Sequence, residues 1–191
     1  MNYVAVQNLI DVVNESKSCT RIVRVTGKGE EPTAFFTVLI NMLGNMAKAW
    51  NYEGEQLLRT SGVDYTIIRP GVMGRNDIPT NKVRALADNG QDLKVTAVTQ
   101  SQIAELCCDC LNFANTAKST LTAMNVDEGK GVDSYDSLLT QVEPDTRDFP
   151  STLLEEHKRG ARNGAAILAV FASVSFAALK SMGGFLWGIF H

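Results

Sequence analysis

Histidine is nearly absent from this sequence: His157 and His191 are the only two, far apart in the chain. A histidine-built metal centre is therefore excluded, and the four cysteines do not replace it. Cys107, Cys108 and Cys110 crowd one helical-looking run, where neighbouring side chains point in different directions, and Cys19 stands alone. That spacing makes a poor disulfide set and an incomplete zinc set, and it reads as reduced thiols in a core. Positive charge is also in short supply. Lysine and arginine number 18 against 21 acidic residues, for a net charge of −3. No basic stripe is interleaved with aromatics, and Arg21, Arg24 and Lys28 read as ordinary strand and loop charges. Nucleic acid is not an expected partner. No signal or transit peptide is visible at the start, which fits a removed leader or a start inside a longer precursor.

What the sequence does contain is an α/β alternation centred on residues 49–74, AWNYEGEQLLRTSGVDYTIIRPGVMG. Glu53, Gln56, Leu57 and Leu58 continue a helical pattern that Ser61-Gly62 stops. Residues 63–68 are β-branched and aromatic and read as a buried strand, which Arg69-Pro70-Gly71 ends. In open parallel sheets ligands sit beyond the carboxyl ends of the strands, so residues 70–74 are the first place to look for a site.

Before this centre, residues 2–16 form an amphipathic helix with Val6, Leu9, Ile10 and Val13 on one face. Residues 21–26, RIVRVT, form a strand. Gly27-Lys28-Gly29 reads as an ordinary loop, since a lone GxG is weak evidence for phosphate binding. One long helix is expected over residues 34–60; Phe35, Phe36, Val38, Leu39, Met42, Leu43 and Met46 make its first half apolar on most sides. Beyond the centre, residues 75–80 read as loop, 82–88 as a short helix and 93–98 as a strand. Thr99 caps a helix over 100–114 with Gln102 at the capping-box position, and 119–126 form a last strand. Residues 127–162 read as an acidic linker or mobile arm followed by a short amphipathic segment that is helical near Leu153 and Leu154.

The tail changes character. Residues 163–179 carry no charge, and the apolar run resumes after Lys180 to Phe190. A spanning helix needs about 20 predominantly apolar residues, so residues 163–190 are expected to cross a membrane. Lys158, Arg159 and Arg162 precede the run and would keep the main domain on the cytoplasmic or stromal side.

Three stretches resemble one family. Asn8-Leu9-Ile10-Asp11 with the strand after it, the run from Glu55 to Gly71, and the segment from Val98 to Leu106 resemble the C-terminal half of an atypical, NmrA-like short-chain dehydrogenase/reductase. The resemblance covers residues 1–126 and implies an incomplete Rossmann-like parallel sheet with helices, which begins about where that fold has its fourth crossover. It also implies that Pro70, Gly71 and Val72 lie near the nicotinamide of NADP, should the site be retained. The family's glycine-rich dinucleotide turn does not occur in this sequence. Its Tyr-x-x-x-Lys pair is replaced too: the tyrosine position falls on Ala47, the lysine position on Asn51, and the serine position near Thr26-Gly27. Lys48 and Tyr52 have helical spacing but stand in the reverse order. Redox chemistry by the family mechanism, a resident cofactor and catalytic residues are therefore not expected.

Within that family, VTGKGEEP, FFTVLINMLGNMAKAWNYEGEQLLR and YTIIRPGVMGRND resemble the high-chlorophyll-fluorescence proteins of photosystem biogenesis. That resemblance implies a chloroplast thylakoid address with the main domain on the stromal side. The expected role is that of a membrane-anchored accessory subunit or assembly factor bound to a photosystem core or antenna. The alternative is an NAD(P)-binding oxidoreductase or nucleotide sensor, complete only with a separate N-terminal half.

Overall fold

The computed structural model describes residues 2–16, 18–74 and 82–189, without the side chains of Asn2, Lys82 and residues 176–189. Helix α1 (Asn2–Ser16) leads into strand β1 (Arg21–Val25), helices α2 (Phe35–Leu43) and α3 (Ala47–Thr60), and strand β2 (Asp64–Pro70). Strand β3 (Val72–Gly74), strand β4 (Lys82–Ala87), strand β5 (Ala97–Thr99), helix α4 (Gln100–Asp109) and strand β6 (Ser119–Asp127) follow, then helices α5 (Asp136–Leu139) and α6 (Leu154–Ile189).

The main sheet has the order β1-β2-β6-β4, with the first three strands parallel and β4 antiparallel. Strand β2 is buried on both faces, which is why its sequence reads as a near-continuous apolar run. Its alternation assigns Tyr65 and Ile67 to one core with Val6, Ile10 and Val13 of α1 and Leu58 of α3. Ile68 joins the opposite core with Leu121, Ile103 and Leu106. Helices thus cover both faces, as a parallel sheet requires. Among the described residues β1 pairs with β2 alone, so its other edge carries no strand.

The α/β layering and the first, central and last strands agree with the sequence reading, as does the Thr99–Gln102 capping box. Several elements differ. The expected long helix over 34–60 is two helices, because Asn45 (φ 50°) and Met46 (φ 61°) take left-handed backbone after Gly44. Asn41 holds this break together. Its Oδ1 accepts from the Lys48 and Ala49 N–H groups (3.0 and 3.3 Å), satisfying donors at the start of α3 that have no helical partner. Residues 82–87 are a strand and not a helix, because pairing with the open side of β6 outweighs local propensity. Of the strand expected over 93–98, only Ala97 and Val98 pair, and they do so with β3. Residues 75–80 lie outside the described residues.

Residues 127–147, expected as a linker or mobile arm, are packed. Tyr135, Leu139 and Val142 are buried with Leu106, Cys110 and Leu121. The Asp145 carboxylate accepts from the Thr120 N–H (2.8 Å), the Thr120 hydroxyl (2.6 Å) and the Tyr65 hydroxyl (3.1 Å). Helix α6 is one continuous element of 36 residues that joins the amphipathic segment to the tail. Among the described residues no helix is long and apolar enough to cross a membrane. Residues 176–190 of the expected span lie outside the described side chains.

Leu139→Ala tests whether this stretch belongs to the core. Removing a buried leucine should cost ~2–5 kcal/mol in a urea titration; a mobile arm would show no change in midpoint.

Candidate functional site

Beyond the carboxyl ends of β1 and β2 lies a cleft of about 480 Å³. Phe36, Thr37 and Ile40 of α2 form one wall, Leu93 and Val95 the other, and Arg69, Pro70, Gly71 and Thr122 line it from the sheet. Pro70, Gly71 and Val72 are therefore together at this cleft, where the sequence placed a site. Gly71 has a structural reason: a Cβ there would overlap the Thr96 carbonyl oxygen and come within 2.7 Å of the Met124 sulfur. Its lack of a side chain thus lets β3 dock beside β5 and β6.

Charge in the cleft is unevenly committed. Lys28 donates to Glu31 (2.7 Å) and Asp92 (2.5 Å), joining the two rims. Lys48 places its Nζ 3.0 Å from where a Gly27 side chain would begin. Burial, and then the Arg69 charge, pushes the Lys48 ammonium below its ordinary pKa. An apolar cleft with one such lysine can hold an apolar body carrying an anionic group. None of the described residues lining it is a tyrosine, serine, histidine or cysteine.

Beneath the cleft is a buried ion network. Arg69 donates Nε to Glu55 (3.2 Å), makes a closer ion pair with Glu55 through Nη2, and reaches Glu30 through Nη1 (2.7 Å). Thr26 donates its hydroxyl to Glu55 (2.6 Å), and Arg59 reaches Glu55 (3.2 Å) and Thr120 (2.8 Å). Burial alone would raise the Glu55 carboxyl, but Arg69, Arg59 and Thr26 hold it below the usual range. The Phe149 ring lies 3.8 Å from the Arg59 guanidinium and 4.3 Å from that of Arg147, which itself pairs with Glu30.

The family's catalytic positions are occupied by other tasks. Ala47 starts α3, and the Asn51 carbonyl accepts from Arg24 (3.2 Å). Tyr52 is buried and donates to the Pro150 carbonyl (2.6 Å); burial, with Glu30 nearby, pushes its pKa up to about 12. A proton-exchanging tyrosine needs the opposite shift and an open hydroxyl. Cys110 is buried, and burial pushes its thiol up to about 12 as well; all four cysteines are free. No group of His, Cys, Asp and Glu among the described residues could hold a metal ion.

His157, for which no role was legible in the sequence, is buried on α6. Its Nε2 lies 2.8 Å from the Gly29 carbonyl and its Nδ1 2.9 Å from the Asn41 amide. A carbonyl only accepts, so Nε2 carries the proton and Nδ1 accepts from Asn41. Burial keeps the imidazole below its ordinary pKa, and hence neutral.

A parallel sheet covered on both faces, with a cleft outside its strand ends, defines a Rossmann-like dinucleotide-binding fold. The pattern of an NAD(P)H-binding family matches residues 2–114, and the chain belongs to that family. The fold is similar to that of a putative NAD-dependent epimerase/dehydratase from Bacillus halodurans, with a TM-score of 0.58 and 17% identity over 74% of this chain and 60% of that one. A short-chain dehydrogenase/reductase from Veillonella parvula in complex with NADP aligns with a TM-score of 0.50 and 16% identity, over 68% of this chain and 60% of that one. Protein TIC 62, chloroplastic, of Arabidopsis thaliana is 31% identical over 75 residues, 39% of this chain and 11% of that protein. The chain thus spans about 60% of the length of the first of these structures and a small part of TIC 62.

Two titrations separate the buried groups. Glu55→Gln leaves Arg69 without its buried counter-charge and should cost ~3–5 kcal/mol at neutral pH. Because the folded pKa of Glu55 is depressed, its contribution is complete above its unfolded value of about 4.3 and fades as pH falls through the folded value. The variant's stability should accordingly be flatter in that acid window. His157 is also depressed, so the unfolded chain takes up its proton first and stability is lost as pH falls below about 6.5. His157→Gln should abolish that loss in urea midpoints measured from neutral to mildly acidic pH.

Proposed function

We propose that this chain is a non-catalytic, membrane-anchored member of the NAD(P)H-binding family, acting as an accessory subunit or assembly factor of a photosynthetic complex in the thylakoid. The observation that carries this reading is α6. Residues 165–175 are exposed along their whole length, carry no charge and meet no core of their own. An apolar helix in that condition calls for lipid or a protein partner to cover it. Ala165, Ala166, Ala169, Ala172 and Ser173 favour close packing against other helices in a bilayer. Exposed Lys158, Arg159 and Arg162 at its base support a stromal position for the main domain. The likeness to a chloroplast protein supports the compartment. Sealing of Tyr52 under Pro150 supports the absence of family redox chemistry.

A second reading, a nucleotide sensor, is favoured by the family itself and by the open cleft at Pro70, Gly71 and Val72. The nicotinamide of NADP would lie against those residues, with Lys48 available to an anionic group. Retention or titration of NADPH by the detergent-purified assembly, read from nicotinamide fluorescence, decides for it.

Native separation of mildly solubilised thylakoids, followed by mass spectrometry of the bands, tests the main proposal. Co-migration at constant ratio with a mature photosystem identifies a subunit, and recovery in light intermediates identifies an assembly factor. The chain should stay in the membrane pellet after an alkaline carbonate wash. Release into the supernatant would remove the anchor.

A further inference from the structure

Helix α2, FFTVLINML, is built inside out. It has no charged residue, yet the side chains it buries are the polar Thr37 and Asn41. Its largest apolar side chains face outward: Phe35 is 74%, Phe36 71% and Leu43 79% exposed. Phe35 and Phe36 meet edge to face with ring centroids 5.4 Å apart, which forms a continuous aromatic surface. In a helix that only packs on its own domain, the apolar stripe points to the core and the polar face to water.

The position of α2 says what covers this face. Glycines on α6 let it pack closely. A Cβ on Gly160 would meet the Pro32 carbonyl and Val38, and one on Gly164 would meet Val38 at 2.5 Å and the Met42 sulfur at 2.9 Å. These contacts step forward along both helices, so α2 advances in the same direction as α6. Its end therefore lies level with the start of the uncharged run of α6. Val38, Leu39 and Met42 share an apolar groove of about 460 Å³ with Ile167 and Leu168, so the two surfaces are continuous. The exposed cations Lys158, Arg159 and Arg162 stand in the turns of α6 just before that level, where phosphate headgroups would meet them.

We infer that α2 is a membrane-interface foot on the bilayer that holds α6, with Leu43 deepest, at the headgroup–acyl boundary, and Ile40, Phe36 and Phe35 stepping back into the headgroup layer beside the cations. This rests on the membrane-anchored reading above. Phe36 and Ile40 also wall the cleft at Pro70, Gly71 and Val72, where Val72 and Val95 are exposed and apolar. The foot therefore shares a wall with the cleft.

The test uses the full chain reconstituted into vesicles of phosphatidylcholine with phosphatidylglycerol. An environment-sensitive NBD label is placed at Phe36→Cys in a background carrying serine at Cys19, Cys107 and Cys108. A control label sits at Asp133→Cys, exposed and far from α2 in the sequence. The expected result is a several-fold rise in emission at position 36 on vesicle binding, quenched by shallow doxyl-labelled lipids, with the control unchanged. A chain that floats with vesicles while position 36 stays water-like overturns the foot and leaves the anchor standing. A chain that does not float overturns both. Protection of position 36 only in native membranes, and not in pure lipid, would assign the face to a protein partner and overturn the lipid assignment.

Discussion

The buried pair of Glu55 and Arg69 is the constraint on which the site end of this fold depends. Arg69 closes β2, Glu55 lies on α3, and neither side chain reaches water. Two charges out of water are tolerable only when each is paired and its remaining hydrogen-bond capacity is used. Thr26 at the end of β1, Glu30 in the following loop and Arg59 on α3 supply those partners. Each belongs to a different segment, so satisfying the pair fixes the loop after β1, the register of α3 on the sheet and the end of β2 at once. Arg147 and Phe149 then draw the segment after α5 across the same end. Structural charge thus underlies the cleft floor.

A second joint holds the base of α6. Asn41, His157 and Gly29 form a relay in which every proton has one acceptor. It links the break between α2 and α3, the loop entering the cleft and the base of α6. A neutral imidazole suits this place because it donates and accepts along one line, and burial disfavours a second proton. Whatever load α6 transmits is thereby delivered to the loop that carries Lys28 and Glu30. The relay also explains why α2 can be inside out: Asn41 is buried because two helices and a histidine need its amide, not because α2 needs a core.

The parts legible in the sequence were those whose signals are local. Strands β1 and β2 and most of β6 announce themselves by β-branched runs bounded by glycine, proline or turn residues, and Thr99 with Gln102 announces its cap. Residues 70–74 were the first place to look for a site because ligands sit beyond strand ends in parallel sheets, and Pro70, Gly71 and Val72 line a cleft there. What stayed hidden depends on partners distant in the chain. Nothing local in the sequence joins Glu30, Glu55, Arg69 and Arg147 into one set; the fold brings them together. Strand β4 lacks a strong strand signature and is made one by the free edge of β6. The acidic composition of residues 127–147 suggested solvent, whereas Tyr135, Leu139 and Asp145 each anchor it. Gly44-Asn45 was the one local signal available for the break in the long helix, and apolar residues on every side of it masked the stop.

Those same apolar residues carry the functional argument. Phe35, Phe36 and Leu43 face outward, beside an uncharged stretch of α6. Burying them in the domain would require rotating Asn41 out, which would strip the first turn of α3 and His157 of their acceptor and donor. The fold therefore resists correcting the exposure by repacking. Apolar surface that a domain cannot withdraw must be covered from outside, and whatever covers α2 would also meet the exposed apolar flank of α6 at Ile167 and Leu168.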